Sequence, residues 1–384
     1  MTAGRIVPLR SRSAGAATGP AASRELVERI HAVRSEGDIP LVGDDRWPAE
    51  QWQRVRALAE AAGPLPGIAW ATLTSGSTGA PRIVLRSADS WAASFGSVDD
   101  LLGVRTGDVL ALTSPPASSL SLFSIARAMD GGPELALPSG NALVAADVAD
   151  ATLFHGTPRA LRTILDTDAA PLLRAALVGG ADLDASTRSR AEARGIRVAA
   201  YYGAAELSFV AVDRGDGLRP FPGVDVEVRD GELWARSPYL AAGYLGGDGP
   251  LRSDGPWRSV GDRAEIVDGR IRLLGRADDA IITAAATVIP SEVEAALRTL
   301  PGVTDAVVFG MPNAGVGSLV AAVLETAAGG ESIAALRERA RAVLAPTHLP
   351  RRWFVSPAFP RTATGKPARA ELVRSVVAGE VVVP

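Results

Sequence analysis

From Ile68 onward the chain is built on short apolar runs: IAWATL, RIVLRS, DVLALTS, ATLFHG, AALVGG and RVAAYYG. Between them lie Ala/Leu/Arg segments with helical spacing, TPRALRTILD and DASTRSRAEARG among them. Strands alternating with helices predict a layered α/β domain. Between 219 and 274 the runs draw closer together. VDVEVRDGELWARS and RAEIVDGRIRLLG read as hairpins turned on Asp-Gly pairs at 230–231 and 268–269, a dipeptide that tolerates φ > 0 at both turn positions. After GRADD at 275–279 a second unit begins. IITAAATVIP, TDAVVFGM, SLVAAVLE and RRWFVS read as strands and SIAALRERARAVL as a helix. PSEVEAALRTL reads as a helix opened by Pro290 and Ser291, with Glu294 at capping-box spacing. The expected division is an α/β domain over 1–276 and a small α+β domain over 277–384. Residues 1–66 read as a polar head, one helix around SRELVERIHAV and a Pro/Gly-rich stretch.

Composition narrows the function. The 384 residues are 47% hydrophobic, enough for a sizeable core. A net charge of −3 gives no reason to expect nucleic acid or an anionic membrane surface. No apolar run approaches the roughly 18 residues that span a bilayer. The opening MTAGRIVPLRSRSAGAATGP lacks the apolar stretch of a secretory signal; its basic, Ser/Ala-rich character suits a transit peptide or, more simply, an unstructured tail. A cytoplasmic protein is expected. The absence of cysteine excludes disulfides, thiolate metal sites and a cysteine nucleophile. His31, His155 and His348 are too far apart for a short metal motif. One bias stands out. Of the 40 basic residues, Lys366 is the only lysine. Arginine carries a planar, delocalised charge and cannot replace a compact ammonium. Lys366 is either kept for a task or a survivor on a solvated loop.

The stretch TSGSTG, Thr74 to Gly79, follows an apolar run. Hydroxyls and glycine backbone can turn there onto phosphate oxygens; a flexible turn has the same composition. It lacks the Walker A spacing. Downstream, in order, come GG at 179–180, YYGAAE at 201–206, GD at 261–262, GR at 275–276 and TGK at 364–366. Over roughly residues 68–375 this ordered set resembles the adenylate-forming superfamily of acyl-CoA synthetases, peptide-synthetase adenylation domains and luciferases. The resemblance implies ATP-dependent activation of a carboxylic acid as acyl-AMP, with release of pyrophosphate. Transfer to CoA would follow rotation of a small, mobile C-terminal domain.

By the same resemblance, Thr74, Ser75, Gly76, Ser77, Thr78 and Gly79 would hold the β- and γ-phosphates of ATP. Arg82 stands where the family usually has lysine. Tyr202 and Gly203 fall in a Y-G-x-T-E motif. Tyr202 would stack on adenine, and Glu206 would serve catalysis and hold Mg²⁺, a hard cation that takes oxygen ligands. The motif's threonine is Ala205 here. Gly180 and Ala181 would lie against the nucleotide. Gly179, Ala204 and His155 would line the acid pocket, although His155 equally suits a satisfied core histidine. Asp262 would accept from the ribose hydroxyls, Arg276 would reach the ribose and Asp278 would be the hinge. Lys366 would bridge the acid's carboxylate and the ATP phosphate.

The phosphate loop begins early for this superfamily, which points to a shortened N-terminal portion. This and the stretch GRADDAIITAAATVIPSEVEAAL resemble the short o-succinylbenzoate–CoA ligases of actinobacteria. An aromatic acid is therefore the first expectation. Two features pull the other way. Segments 113–124, 153–158, 179–181 and 203–209, the candidate pocket, carry no Arg or Lys cluster for a second carboxylate. Ala284 and Ala285 replace the small, glycine-containing pair that lines the family's pantetheine passage, where methyl groups narrow the path or exclude φ > 0. Two alternatives thus stay open. One is an adenylating enzyme that serves an amine, a carrier protein or nitrite activation for diazo formation. The other is an inactive nucleotide-binding module. A homodimer is the commonest homo-oligomer.

Overall fold

The computed structural model describes residues 3–10, 20–43, 49–74, 82–114, 116–138, 145–247, 249–276, 281–282, 287–313, 317–327, 331–362 and 366–379. The predicted layered α/β architecture is present. A seven-stranded sheet runs in the order Arg219–Pro220, Ser208–Asp213, Arg197–Ala204, Ala175–Gly179, Leu153–Gly156, Val109–Leu112, Glu134–Ala136. The last five of these strands pair in parallel. Ser208–Asp213 turns back antiparallel on Arg197–Ala204. Parallel strands covered on both faces read as continuous apolar runs, as AALVG does here.

Alternate side chains of these strands feed two cores. Leu153, Ala175 and Leu177 face the helices Ala88–Leu102 and Ser119–Met129 through Trp91, Phe95 and Leu122. Phe154, Ala176 and Val178 face Pro158–Thr167 and Ala185–Ala193 through Leu161, Ile164 and Ala191. The helix Pro158–Thr167 starts cleanly. Thr157 is its N-cap, its hydroxyl accepting from the Ala160 N–H, and Pro158 sits where the missing N–H costs nothing.

A second sheet has the order Ile6–Arg10, Ile39–Gly43, Trp70–Thr74, Arg82–Arg86, Gly243–Tyr244. Its first two strands, and the helix Ala49–Ala61, lie where the pattern predicts only a polar head, one helix and a Pro/Gly-rich stretch. Pro8 and Pro40 interrupt the two apolar runs and disguise them as coil. In the fold they pair, Val7 with Pro40 and Pro8 with Leu41. A third, six-stranded sheet contains both Asp-Gly hairpins. Asp230 and Gly231 have φ of 52° and 77°, Asp268 and Gly269 51° and 72°, the left-handed pairs that the dipeptides predict.

Beyond Ile281 the chain builds cores of its own. In the sheet Val303–Asn313, Gly317–Thr326, Arg352–Ser356, Val308, Val320, Ala322 and Leu324 meet Val293, Leu297 and Leu336 on one face. Val307, Phe309, Ala321 and Val323 meet Phe359, Leu372 and Val376 on the other. The capping box is overturned. Ile289 is the N-cap of Pro290–Arg298 and makes no side-chain cap bond. Glu294 is turned inward instead, accepting from the Val308 N–H at 2.8 Å and pairing with Arg369. Burial pushes its carboxyl above the usual range, and Arg369 pulls it back. No helix among the described residues is long and apolar enough to cross a membrane.

Candidate active site

Gly179, Tyr202 and Gly203 lie at the carboxyl ends of parallel strands, where open α/β sheets hold their ligands. Gly179 ends one strand, and Gly180 follows with φ +85°. A Cβ on Gly179 would stand 2.2 Å from Tyr201 Cζ, so only glycine fits under that ring. Beside Gly180 the position of a Cβ lies 3.9 Å from both Lys366 Cε and Thr157 Cγ2. The lone lysine, carried by the small C-terminal unit, thus reaches the strand ends of the large one. Ala181 is exposed at the same edge.

Tyr202 and Asp262 also meet. The Tyr202 hydroxyl donates to Asp262 Oδ2 at 2.6 Å. Asp262 opens its strand directly across from Arg276 in the neighbouring one. Gly203 pairs with Phe209 and Ala204 with Ser208, and Ser208 has φ 60°. A Cβ on Gly203 would fall 2.0 Å from the Ser208 carbonyl oxygen. The tight turn that follows therefore requires glycine there, and it presents Ala205 and Glu206 at its tip. Thr74 ends the strand Trp70–Thr74 and Arg82 begins the next, paired across from it. Ser75, Gly76, Ser77, Thr78, Gly79, Asp278, Ala284 and Ala285 lie outside the described residues.

Glu206 is buried, and it has company that the motifs do not announce. The Tyr244 hydroxyl donates to Glu206 Oε1 at 2.8 Å. Burial and the Glu206 charge push that phenol upward. Arg86 is fully buried. It donates to the Ala205 carbonyl at 2.6 and 3.1 Å and to the Tyr239 carbonyl at 2.7 Å, and lies 5.5 Å over the Trp91 ring. Burial pulls its guanidinium down to about 9 while Glu206 pulls it back up. At neutral pH it stays charged, and all its hydrogen-bond partners are acceptors. Its signal in the sequence is a charge at the end of the apolar run RIVLR, masked by the general excess of arginine.

His155 is 1% exposed. Its Nδ1 is 2.8 Å from Ser124 Oγ and its Nε2 3.1 Å from the Tyr201 hydroxyl. Phe123, Tyr201 and Phe209 surround the ring. The structure thus sets His155 behind Tyr201 as a satisfied buried histidine, and Tyr201 stands between it and Gly179. Burial drives its imidazole from 6.5 down to about 3. The native ring is neutral while the unfolded one takes a proton near 6.5, so protonation favours unfolding. The stability this group contributes is whole above about pH 6.5 and is lost as pH falls towards 3. At pH 5 the loss is about 2 kcal/mol. Urea melts at pH 7.5 and pH 5 should show that loss, and His155→Phe should reduce it even though the variant starts lower. An equal acid loss in both proteins would remove His155 as its source.

The family described as AMP-binding enzyme matches residues 16–245, and the AMP-binding enzyme C-terminal domain matches 292–366. The fold is that of the AMP-binding enzymes. The chain belongs to the AMP-binding enzyme family, as the ordered motifs indicate. It is 30% identical to a 2-succinylbenzoate–CoA ligase of Salmonella typhimurium over 294 residues, covering 74% of this chain and 64% of that protein's length. It is 32% identical over 327 residues to a probable 2-succinylbenzoate–CoA ligase of Mycobacterium tuberculosis, covering 80% and 84% of the two chains. Among solved structures, a variant of E. coli MenE with bound OSB-AMS superposes with a TM-score of 0.81 at 23% identity, over 97% of this chain and 88% of that one. The amide bond synthetase McbA from Marinactinospora thermotolerans gives 0.80 at 22%, over 97% and 90%.

Proposed function

We propose that the protein uses ATP to convert a carboxylic acid to its acyl-AMP, releasing pyrophosphate, and then transfers the acyl group to CoA. The observation that carries this reading is the placing of Lys366 Cε beside Gly180, at the ends of the sheet strands, one of which bears Tyr202 and leads into the turn that holds Glu206. A carboxylate oxygen attacks the α-phosphorus, and the bond to the bridging oxygen of the β-phosphate breaks. Both reactants are anionic. The Lys366 ammonium screens them as they approach and stabilises the charge that develops. Tyr202 gives adenine a flat face, and Asp262 offers the ribose two acceptor oxygens. Residues 74–79 receive the departing pyrophosphate. The hinge lies at Asp278, just past the boundary between domains 1–276 and 277–384.

Glu206 fits a Mg²⁺ ion. Its Oε1 is engaged by Tyr244, and Oε2 accepts no hydrogen bond from a described residue. Among the described residues no cluster of three His, Asp or Glu could form an all-protein metal site. When bound, the ion would neutralise phosphate charge; Glu206 would orient it.

Gly179 packs under the ring of Tyr201, an uncharged aromatic surface backed by His155 and Phe209. That surface favours an aromatic acid without a second carboxylate. A second reading, transfer to an amine or carrier protein rather than CoA, is favoured by Ala284 and Ala285. The test is acid-dependent ATP–pyrophosphate exchange over aromatic acids, 2-succinylbenzoate, short fatty acids, amino acids and nitrite, with Mg²⁺ and without CoA. Exchange with a mono-carboxylic aromatic acid is expected, and CoA should then convert the adenylate to a thioester. Exchange without a thioester would support the second reading. ATP binding with no exchange on any acid would sink the adenylation reading.

A further inference from the structure

Glu325, on the strand Gly317–Thr326, is 4% exposed. A carboxylate so buried needs partners, and it has three. Its Oε1 accepts from the Phe359 N–H at 2.9 Å. Its Oε2 accepts from Arg361 and, at 3.0 Å, from Arg159. Phe359 and Arg361 sit at the base of the hairpin that carries Lys366. That hairpin is closed by Thr362 N–H to Lys366 O at 2.8 Å, by Ala368 N–H to Pro360 O at 2.8 Å and by a bridge between Arg361 and Pro367. Asp305 holds the other end of the Arg361 guanidinium at 3.0 Å. Arg159 is different: it belongs to the large domain. It lies in the first turn of the helix Pro158–Thr167, two positions from Thr157, whose methyl shares the space beside Gly180 with Lys366 Cε.

We propose that the Arg159–Glu325 ion pair is a latch between the two domains that holds Lys366 in the site. One carboxylate both fixes the base of the lysine hairpin and grips the helix that borders the site. When the small domain turns away, Arg159 separates from Glu325. Arg361 and Phe359 remain with it, so its burial stays compensated in both states. The Arg159 bond therefore favours one domain arrangement, the one that holds the lysine in the site, and a contact made in one state only shifts the balance by its own free energy. Arg159 is half exposed, which makes the latch weak enough to open each cycle.

The chain has no cysteine, so spin labels can be placed at will. Leu172→Cys and Val343→Cys lie on exposed positions of the two domains. In the doubly labelled protein with ATP, one inter-label distance is expected. Arg159→Ala should add a second distance and slow ATP–pyrophosphate exchange about fivefold, and Arg159→Lys should largely restore both. Unchanged distances in Arg159→Ala would overturn the latch. A second distance with unchanged exchange would overturn the positioning of Lys366. The proposal rests on the adenylation reading only through the exchange assay. If the parent protein exchanges with no acid, the distances still decide the latch, and only the adenylation reading fails.

Discussion

Lys366→Ala is expected to lower acid-dependent ATP–pyrophosphate exchange by about 10²–10³ and to leave the fold intact. The residue is exposed, so its removal empties no core. The approach of two anions loses its cation. Lys366→Arg should recover little, because a planar guanidinium cannot take the place of a compact ammonium beside Gly180 and Thr157. The composition offers a second test that needs no mutation. Lys366 is the only lysine, so an amine-acylating reagent has one side chain to modify. Inactivation should track its modification, and ATP with the acid should protect it. A Lys366→Ala protein with near-normal exchange would remove the lysine from the mechanism.

The two halves of the site were unequally legible. Glycine motifs gave away their backbone. Gly179, Gly180 and Gly203 stand where a Cβ would collide or φ is positive, and such positions leave a mark in sequence because no other residue serves. The Tyr202–Asp262 contact joins two motifs whose order was readable although their meeting was not. What escaped is what depends on which way a side chain turns. Ser291 and Glu294 have capping-box spacing, but Glu294 points into the small core and pairs with Arg369. Tyr201 and Tyr202 look alike as neighbours in a strand. Alternation sends Tyr202 to Asp262 and Tyr201 to His155. The N-terminal strands escaped because Pro8 and Pro40 break their apolar pattern while leaving their register intact. The Asp-Gly hairpins were legible for the opposite reason, since their turn chemistry is local. Arg159, Glu325 and Arg361 are far apart in sequence and carry no motif; only the packing of two domains brings them together.

Arg86 carries the second large effect, this time on stability. Arg86→Met keeps much of the volume and loses every polar contact. The Ala205 and Tyr239 carbonyls lose their donors, and the buried Glu206 loses the cation that offsets its charge. Breaking a buried ionic arrangement from one side costs about 3–5 kcal/mol, which corresponds to a fall of roughly 10 °C in Tm for a domain of this size. Arg86→Lys should recover only part, because one ammonium cannot reach the carbonyls of Ala205 and Tyr239 with the same geometry. The decisive comparison is a cycle with Glu206→Gln. If Arg86 acts mainly by compensating Glu206, neutralising that carboxylate relieves part of the damage, and the double variant should be more stable than the sum of the single losses by about 0.5–3 kcal/mol. Strict additivity in thermal melts would mean that Arg86 serves only the two carbonyls. Coupling would mean that the same arginine which braces the turn through the Ala205 carbonyl also interacts with the buried Glu206 carboxylate.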